Sequence, residues 1–312
     1  MTCRIVRRRA RGYRRDRESP AVGSLEAGIA LAPQRAHAPP RTRVPGPGPG
    51  SGRLMPPPGP DAAANATAAA LRLSSVARTH TGHVRSHNED SVVDRPEAGL
   101  WAVADGMGGH SRGEVASGRI REALETLRPA AAGLEASLAA TRAGIEQVHA
   151  RLLAEGGGVV SGSTVAVLIV DGRRCACAWA GDSRVYRRRG GALERLTRDH
   201  SLVEELVAVG AVAPEDAGRH PLANRITRAV GVGEGVELEE VPGEVAAGDR
   251  YLLSTDGLHG VVPHGLVNEL AGLPDLAAAA DALVKAALDA GAPDNVSLVL
   301  VAVELAGAAA QG

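Results

Sequence analysis

From residue 71 onward the chain is cut into short apolar runs, most of them bounded by Gly, Asp or Pro. LRLSSVART (71–79) alternates apolar and polar positions, the period of a strand with one covered face. SVV (91–93) and LWAVA (100–104) are short extended runs, and STVAVLIV (163–170), CACAWA (175–180), SRVYRR (183–188) and ALERL (192–196) form a strand-rich block. Between these blocks the period lengthens. Residues 111–128 read as a helix, with Ser111 and Glu114 at capping-box spacing and Pro129 as its stop. A second helix fits 134–154, before Gly156, Gly157 and Gly158, and Ser201 with Glu204 opens a third over 201–209. After a loop-like stretch at 210–235 come a strand at 250–254, helices at 264–271 and 275–289, and a strand at 295–304. Paired helices between groups of adjacent strands give an α+β order, unlike the regular alternation behind a parallel sheet.

Composition changes the picture at the N-terminus. Residues 1–70 hold eleven of the 19 prolines, with PGPGPGSG and PPPGP among them, and cannot bury enough apolar surface to offset the entropy of ordering. The division expected is an unstructured segment at 1–70, one folded domain at 71–305 and a short flexible end at 306–312. Charge divides with it: residues 1–60 carry twelve Arg against three acidic groups, 12 − 3 = +9, while the remainder carries 23 basic against 33 acidic, 23 − 33 = −10. An acidic folded part excludes a nucleic-acid binder, which needs a basic face for phosphates. No run approaches the roughly 18 apolar residues of a membrane span, and no secretory h-region is present, so a cytoplasmic location and no membrane partner are expected. No patch marks an oligomer interface, and a monomer is expected. Cys3, Cys175 and Cys177 lack disulfide or zinc spacing and read as small buried hydrophobes.

Candidate chemistry lies at the strand borders. Asp105 follows WAVA, Asp182 follows AWAG, Asp256 follows YLLST, Asp294 precedes NVSLVLVAV, and Asp90 precedes SVV with Glu89 beside it. A single Asp-Gly pair is ordinary turn chemistry. Repetition at five borders instead predicts carboxylates gathered at one sheet edge, where their repulsion calls for hard divalent cations. Oxygen donors without His or Cys at these borders point to Mg²⁺ or Mn²⁺ and away from zinc. Arg85, just ahead of Glu89 and Asp90 in VRSHNED, has the planar fork that grips phosphate.

Eight segments taken together resemble one family, the metal-dependent serine/threonine protein phosphatases (PPM, type 2C) in their compact bacterial form. They are GHVRSHNEDSVV, WAVADGMGGHSRGEVAS, SGSTVAVLIV, AWAGDSRVYRRRGG, LTRDHSLVEELV, NRITRAVG, YLLSTDGLHGVV and PDNVSLVLV, in the family's order over about residues 76–303. The resemblance implies a four-layer αββα sandwich, two packed antiparallel sheets flanked by helices, with two Mn²⁺ or Mg²⁺ ions at one edge. It implies that Asp105 bridges the ions, that Glu89 and the Gly106 carbonyl hold one, and that Asp256 and Asp294 hold the other. Asp90 stands with or just behind these ligands, Asp182 matches a ligand of a third, weaker ion, and Arg85 matches the phosphate-binding arginine. Asn295, His110 and His259 are expected to support the ligands, with His110 also a candidate proton donor because Met107 stands where many eukaryotic members have His.

The activity implied is hydrolysis of phosphoserine and phosphothreonine on proteins by metal-activated water, opposing Ser/Thr protein kinases. Two alternatives stay open at this point: a catalytically weak phosphoprotein-binding relative, and a same-fold phosphatase of anti-sigma antagonist proteins.

Overall fold

A computed structural model of the chain describes residues 70–108, 112–127, 133–156 and 161–306. The central strands are buried on both faces, and the reason is a division of labour between odd and even positions. In β5 (Val165–Asp171) the side chains of Ala166, Leu168 and Val170 face a core shared with Trp101, Val103, Cys175, Cys177 and Trp179. Val165, Val167 and Ile169 face the other way, into a core completed by Ile120, Leu124 and Ile145 from helices. β11 (Val296–Leu305) divides likewise, with Val299, Val301 and Val303 in the first core and Leu298 and Leu300 against Val267, Ala279 and Leu283 of other helices. Such strands read as nearly unbroken apolar runs although every pairing is antiparallel.

Two sheets result. One runs in the order β1 (Leu71–His80), β11, β10 (Arg250–Ser254), β7 (Arg184–Arg189) and β8 (Ala192–Arg195). The other runs β2 (Asp90–Arg95), β3 (Leu100–Met107), β5, β6 (Arg174–Ala180) and β9 (Glu239–Glu244), with the two-residue β4 (Gly162–Ser163) beside the end of β3. Helices α1 (Arg112–Thr126) and α2 (Leu134–Glu155) cover the second sheet. Helices α5 (His264–Ala271) and α6 (Leu276–Asp289) cover the first, as does the single turn α4 (Asp256–His259). The order is helix, sheet, sheet, helix, as the resemblance implied. Helix α3 (Leu202–Ala208) starts from Ser201, whose hydroxyl accepts the Glu204 N–H at 3.3 Å.

Two elements escaped the sequence reading. β9 is EEVPGE, with a Pro, a Gly and three glutamates, and it sits at the sheet edge where such residues are tolerated. α4 is too short to show a helical period. The unstructured segment expected at 1–70 and the tail at 306–312 lie outside the described residues, except for Ala70 and Ala306; so do Cys3, Ser111 and Pro129. Cys175 and Cys177 are free and buried between the sheets, as small hydrophobes.

The interlayer core holds the sandwich together, and Leu253 there is fully buried. Leu253→Ala is expected to lower the unfolding free energy by about 3 kcal/mol in denaturant titration. Val84, 70% exposed, should tolerate the same change within about 0.5 kcal/mol.

Candidate active site

The carboxylates do gather at one edge, and backbone geometry brings them there. Asp90 opens β2 and lies directly across the ladder from Asp105 near the end of β3. Asp256 begins α4 immediately after β10, and Asp294 lies two residues before β11. Asp182 lies in the turn between β6 and β7, the link from one sheet to the other. Each keeps part of its surface open to solvent.

Glycines make the approach possible. A Cβ on Gly106 would collide with the carbonyls of Gly113 and Glu89, and one on Gly113 would lie 2.8 Å from the Glu89 carboxylate. Both bare positions let the first turn of α1 close on the end of β3, where the Gly113 N–H bonds the Glu89 carboxylate. The Glu89 carbonyl accepts from Gly106 N at 3.1 Å and Ser117 Oγ at 2.5 Å, which fixes the residue from behind. Gly257 is bare for a similar reason: a Cβ there would strike the Asn295 carbonyl, so α4 packs directly on the approach to β11.

Asn295 is the organiser of the opposite rim. Its Oδ1 accepts the Glu89 N–H at 2.8 Å, while its Nδ2 donates to the carbonyls of Thr81 and His87 at 2.8 and 2.9 Å. Arg85, in the loop so held, donates from Nη2 to Asp294 Oδ2 at 2.6 Å. That hydrogen bond, with the charges of Asp105 and Glu89 nearby, keeps the guanidinium charged.

Burial and mutual repulsion raise the carboxyl pKa values. Asp90 is pushed up to about 7, by burial first and then by Asp256 and Asp294, although hydroxyls of Ser297 and Thr255 oppose the shift. Asp182 is pushed to about 8 by burial and by Asp256 and Asp199. Asp256 reaches about 6, restrained by a hydrogen bond with Asp105, which itself lies well above the usual range through burial and the charges of Asp90, Asp256 and Asp182. Asp90 Oδ1 and Asp256 Oδ1 are buried without a hydrogen-bond partner. Orphaned, desolvated oxygens in a like-charged group are a donor set suited to hard cations, and the residues fit such ions. Among the described residues no three carboxylate, imidazole or thiol groups close on a single point. The oxygens of Asp294 serve Arg85 Nη2 and the Asn295 N–H.

Of the residues singled out by sequence, Arg85, Glu89, Asp90, Asp105, Gly106, Asp182, Asp256, Asp294 and Asn295 all border this edge. His259 packs behind it: its Nδ1 lies 2.9 Å from Ser254 Oγ and its ring meets the Asp182 backbone, while burial and the charges of Arg184 and Arg195 hold it neutral. His110 lies outside the described residues. Thr255 has a role here that the sequence did not reveal. It lies beyond the end of β10, and its hydroxyl donates to Asp90 Oδ2 at 2.9 Å. Gly113, Ser117 and Thr164 were also missed; Thr164 Oγ1 accepts the Asp105 N–H at 3.0 Å. For Gly113, Ser117 and Thr255 the signal is a small or hydroxyl residue within a motif that already carries a strand-end carboxylate; the motif of Thr164, SGSTVAVLIV, carries none.

Comparison with known proteins agrees with this geometry. A family model described as protein phosphatase 2C matches residues 72–206. The serine/threonine phosphatase stp of Listeria monocytogenes is 34% identical over 235 residues, covering 72% of this chain and 93% of that protein. The chain belongs to the protein phosphatase 2C family. The serine/threonine protein phosphatase PstP of Mycobacterium tuberculosis is 41% identical over 233 residues, 74% of this chain but 45% of that protein, so the chain spans about half of that relative's length. Among solved structures, PppA, described as a key regulatory component of T6SS in Pseudomonas aeruginosa, superposes with a TM-score of 0.70 at 42% identity, covering 75% of this chain and 99% of that one. The catalytic domain of PstP, in complex with two manganese ions, gives 0.66 at 39% identity over 75% and 99%. The type 2C family and its two-sheet sandwich are thus those implied by the eight segments.

The raised carboxyl values make stability depend on pH. A carboxyl whose folded pKa exceeds its unfolded one binds more protons when folded, so stability present at low pH is lost as pH rises. The window runs from about pH 4, the unfolded range, to about 8, the value of Asp182. In EDTA, the thermal midpoint is expected to fall by several degrees across it, and Asp182→Asn should flatten the upper end. A midpoint difference between the wild type and Asp182→Asn that stays the same at every pH in calorimetry would contradict the desolvation described.

Proposed function

We propose that the chain is a protein-serine/threonine phosphatase that hydrolyses phosphoserine and phosphothreonine monoesters using Mn²⁺ or Mg²⁺. The observation that carries this reading is the convergence of Asp90, Asp105, Asp256 and Asp294 from the ends of four strands, with buried oxygens lacking partners. The two manganese ions of the PstP catalytic domain support it. Glu89, Asp90, Asp105, the Gly106 carbonyl, Asp256 and Asp294 would hold two such ions, and Asp182 would serve a third. Such ions supply Lewis acidity, activating water and neutralising phosphoryl charge.

The protein's own groups do the rest. Arg85 offers a guanidinium fork to the phosphate oxygens, and its loop is pinned by Asn295 so that the fork is aimed before substrate arrives. Thr255 and Ser297 orient Asp90, and Thr164 orients the backbone of Asp105. Attack on phosphorus by water, with departure of the seryl or threonyl oxygen, needs no enzyme nucleophile, and the thiols of Cys175 and Cys177 are buried in the interlayer core. Met107 cannot donate a proton to the leaving oxygen. The intact carboxylate set weighs against a binding-only relative. We further propose a cytoplasmic monomer acting on phosphoproteins made by Ser/Thr kinases, with residues 71–305 sufficient for activity.

The enzyme is expected to hydrolyse p-nitrophenyl phosphate and a phosphothreonine peptide with Mn²⁺, and EDTA should abolish both. Asp105→Asn should lower kcat by at least about 100-fold without loss of far-UV circular dichroism, and Arg85→Ala should lower kcat/KM by about 100-fold. Turnover that survives full chelation would refute the metal-dependent reading.

A further inference from the structure

The turn carrying Asp182 is held by imidazoles on two sides. On one side, Gly181 N–H donates to His200 Nδ1 at 3.1 Å, and the Gly181 carbonyl accepts His200 N–H at 2.9 Å. On the other stands His259, the last residue of α4 and three residues beyond Asp256. Its Nδ1 lies 2.9 Å from the Ser254 hydroxyl, its imidazole meets the Asp182 backbone, and its ring packs edge-on against Tyr186 with centroids 6.5 Å apart. Ser254 ends β10 in one sheet, whereas Asp182 leaves β6 in the other. One side chain therefore ties the two sheets together between two carboxylates that repel each other.

The chemistry of imidazole suits this place. Accepting a hydroxyl on Nδ1 leaves the proton on Nε2, the form that donates to a carbonyl. Spanning the gap with a Lys or Arg would set a positive charge beside the carboxylates and compete with any cation there. A neutral ring holds the turns together and leaves the carboxylates free. We propose that His259 is a positioning residue that fixes the Asp182 turn against the Asp256 turn, so that Asp182 is preset to hold a divalent cation. This rests on the reading of Asp182 as a ligand given above.

The test is calorimetric titration of the full chain with Mn²⁺, comparing wild type, Asp182→Asn, His259→Ala, His259→Gln and the double variant Asp182→Asn/His259→Ala. The binding step that Asp182→Asn removes is expected to weaken about 10-fold or more in His259→Ala. His259→Gln, which keeps a donor and an acceptor, should recover most of that affinity. Steps independent of Asp182 should stay within twofold, and the double variant should match Asp182→Asn, because His259 acts through Asp182. An unchanged Asp182-dependent step overturns the proposal, as does a loss spread evenly over all steps. Should His259→Ala fail to fold by circular dichroism, Ser254→Ala decides, because it removes the hydroxyl that anchors the ring at Nδ1: a weakened Asp182-dependent step supports the proposal, and an unchanged one overturns it. No Mn²⁺ uptake by wild type would overturn the metal-site reading itself, and no step lost in Asp182→Asn would remove Asp182 as a ligand; these are results distinct from a failure of His259 alone.

Discussion

Electrostatic repulsion among buried carboxylates is the constraint around which this chain is arranged. Asp90, Asp256, Asp182 and Asp294 each raise the energy of an ionised Asp105, Asp256 does the same to Asp90 and Asp182, and Asp294 to Asp256. No local sequence preference would bring them together. They are held by covalent attachment to strands whose other residues bury Trp101, Trp179, Leu253 and Val299 between two sheets. The hydrophobic core supplies the force, and the acidic edge is where that force is opposed.

Much of the polar detail at the site can be understood as containment of this repulsion. Thr255 and Ser297 give Asp90 hydroxyl donors, Gly113 gives Glu89 a backbone N–H, and Arg85 gives Asp294 a full positive charge. Arg184, forked onto Asp199 at 2.6 to 3.2 Å, adds a buried cation whose field reaches Asp182 and Asp256. Full relief is withheld, since Asp90 and Asp256 each retain an oxygen with no partner. A site that satisfied every oxygen internally would have little left for a ligand.

How much of this could be read from the residues follows from where the information lies. The strands were legible because helices cover both sheets, so that CACAWA or VSLVLV could hardly be anything else. The carboxylates were legible because each sits at a boundary that such a run defines. β9 was not, since its pairing comes from the neighbouring β6 and not from its own EEVPGE pattern. Gly113, Thr255 and Asn295 lie at the same borders, but their roles depend on contacts over long sequence separations: Thr255 reaches Asp90 across 165 positions, and Asn295 reaches Glu89 across 206. Single-sequence patterns carry no such distances.

The acidic edge also straddles the seam between the sheets. Asp90 and Asp105 ride on one sheet, Asp256 and Asp294 on the other, and Asp182 sits on the strand connection between them. The cluster therefore works as a vernier: any slip of one layer over its neighbour is read out directly as a change in spacing between opposing oxygens. Interior side chains far below that edge thereby set its calibration.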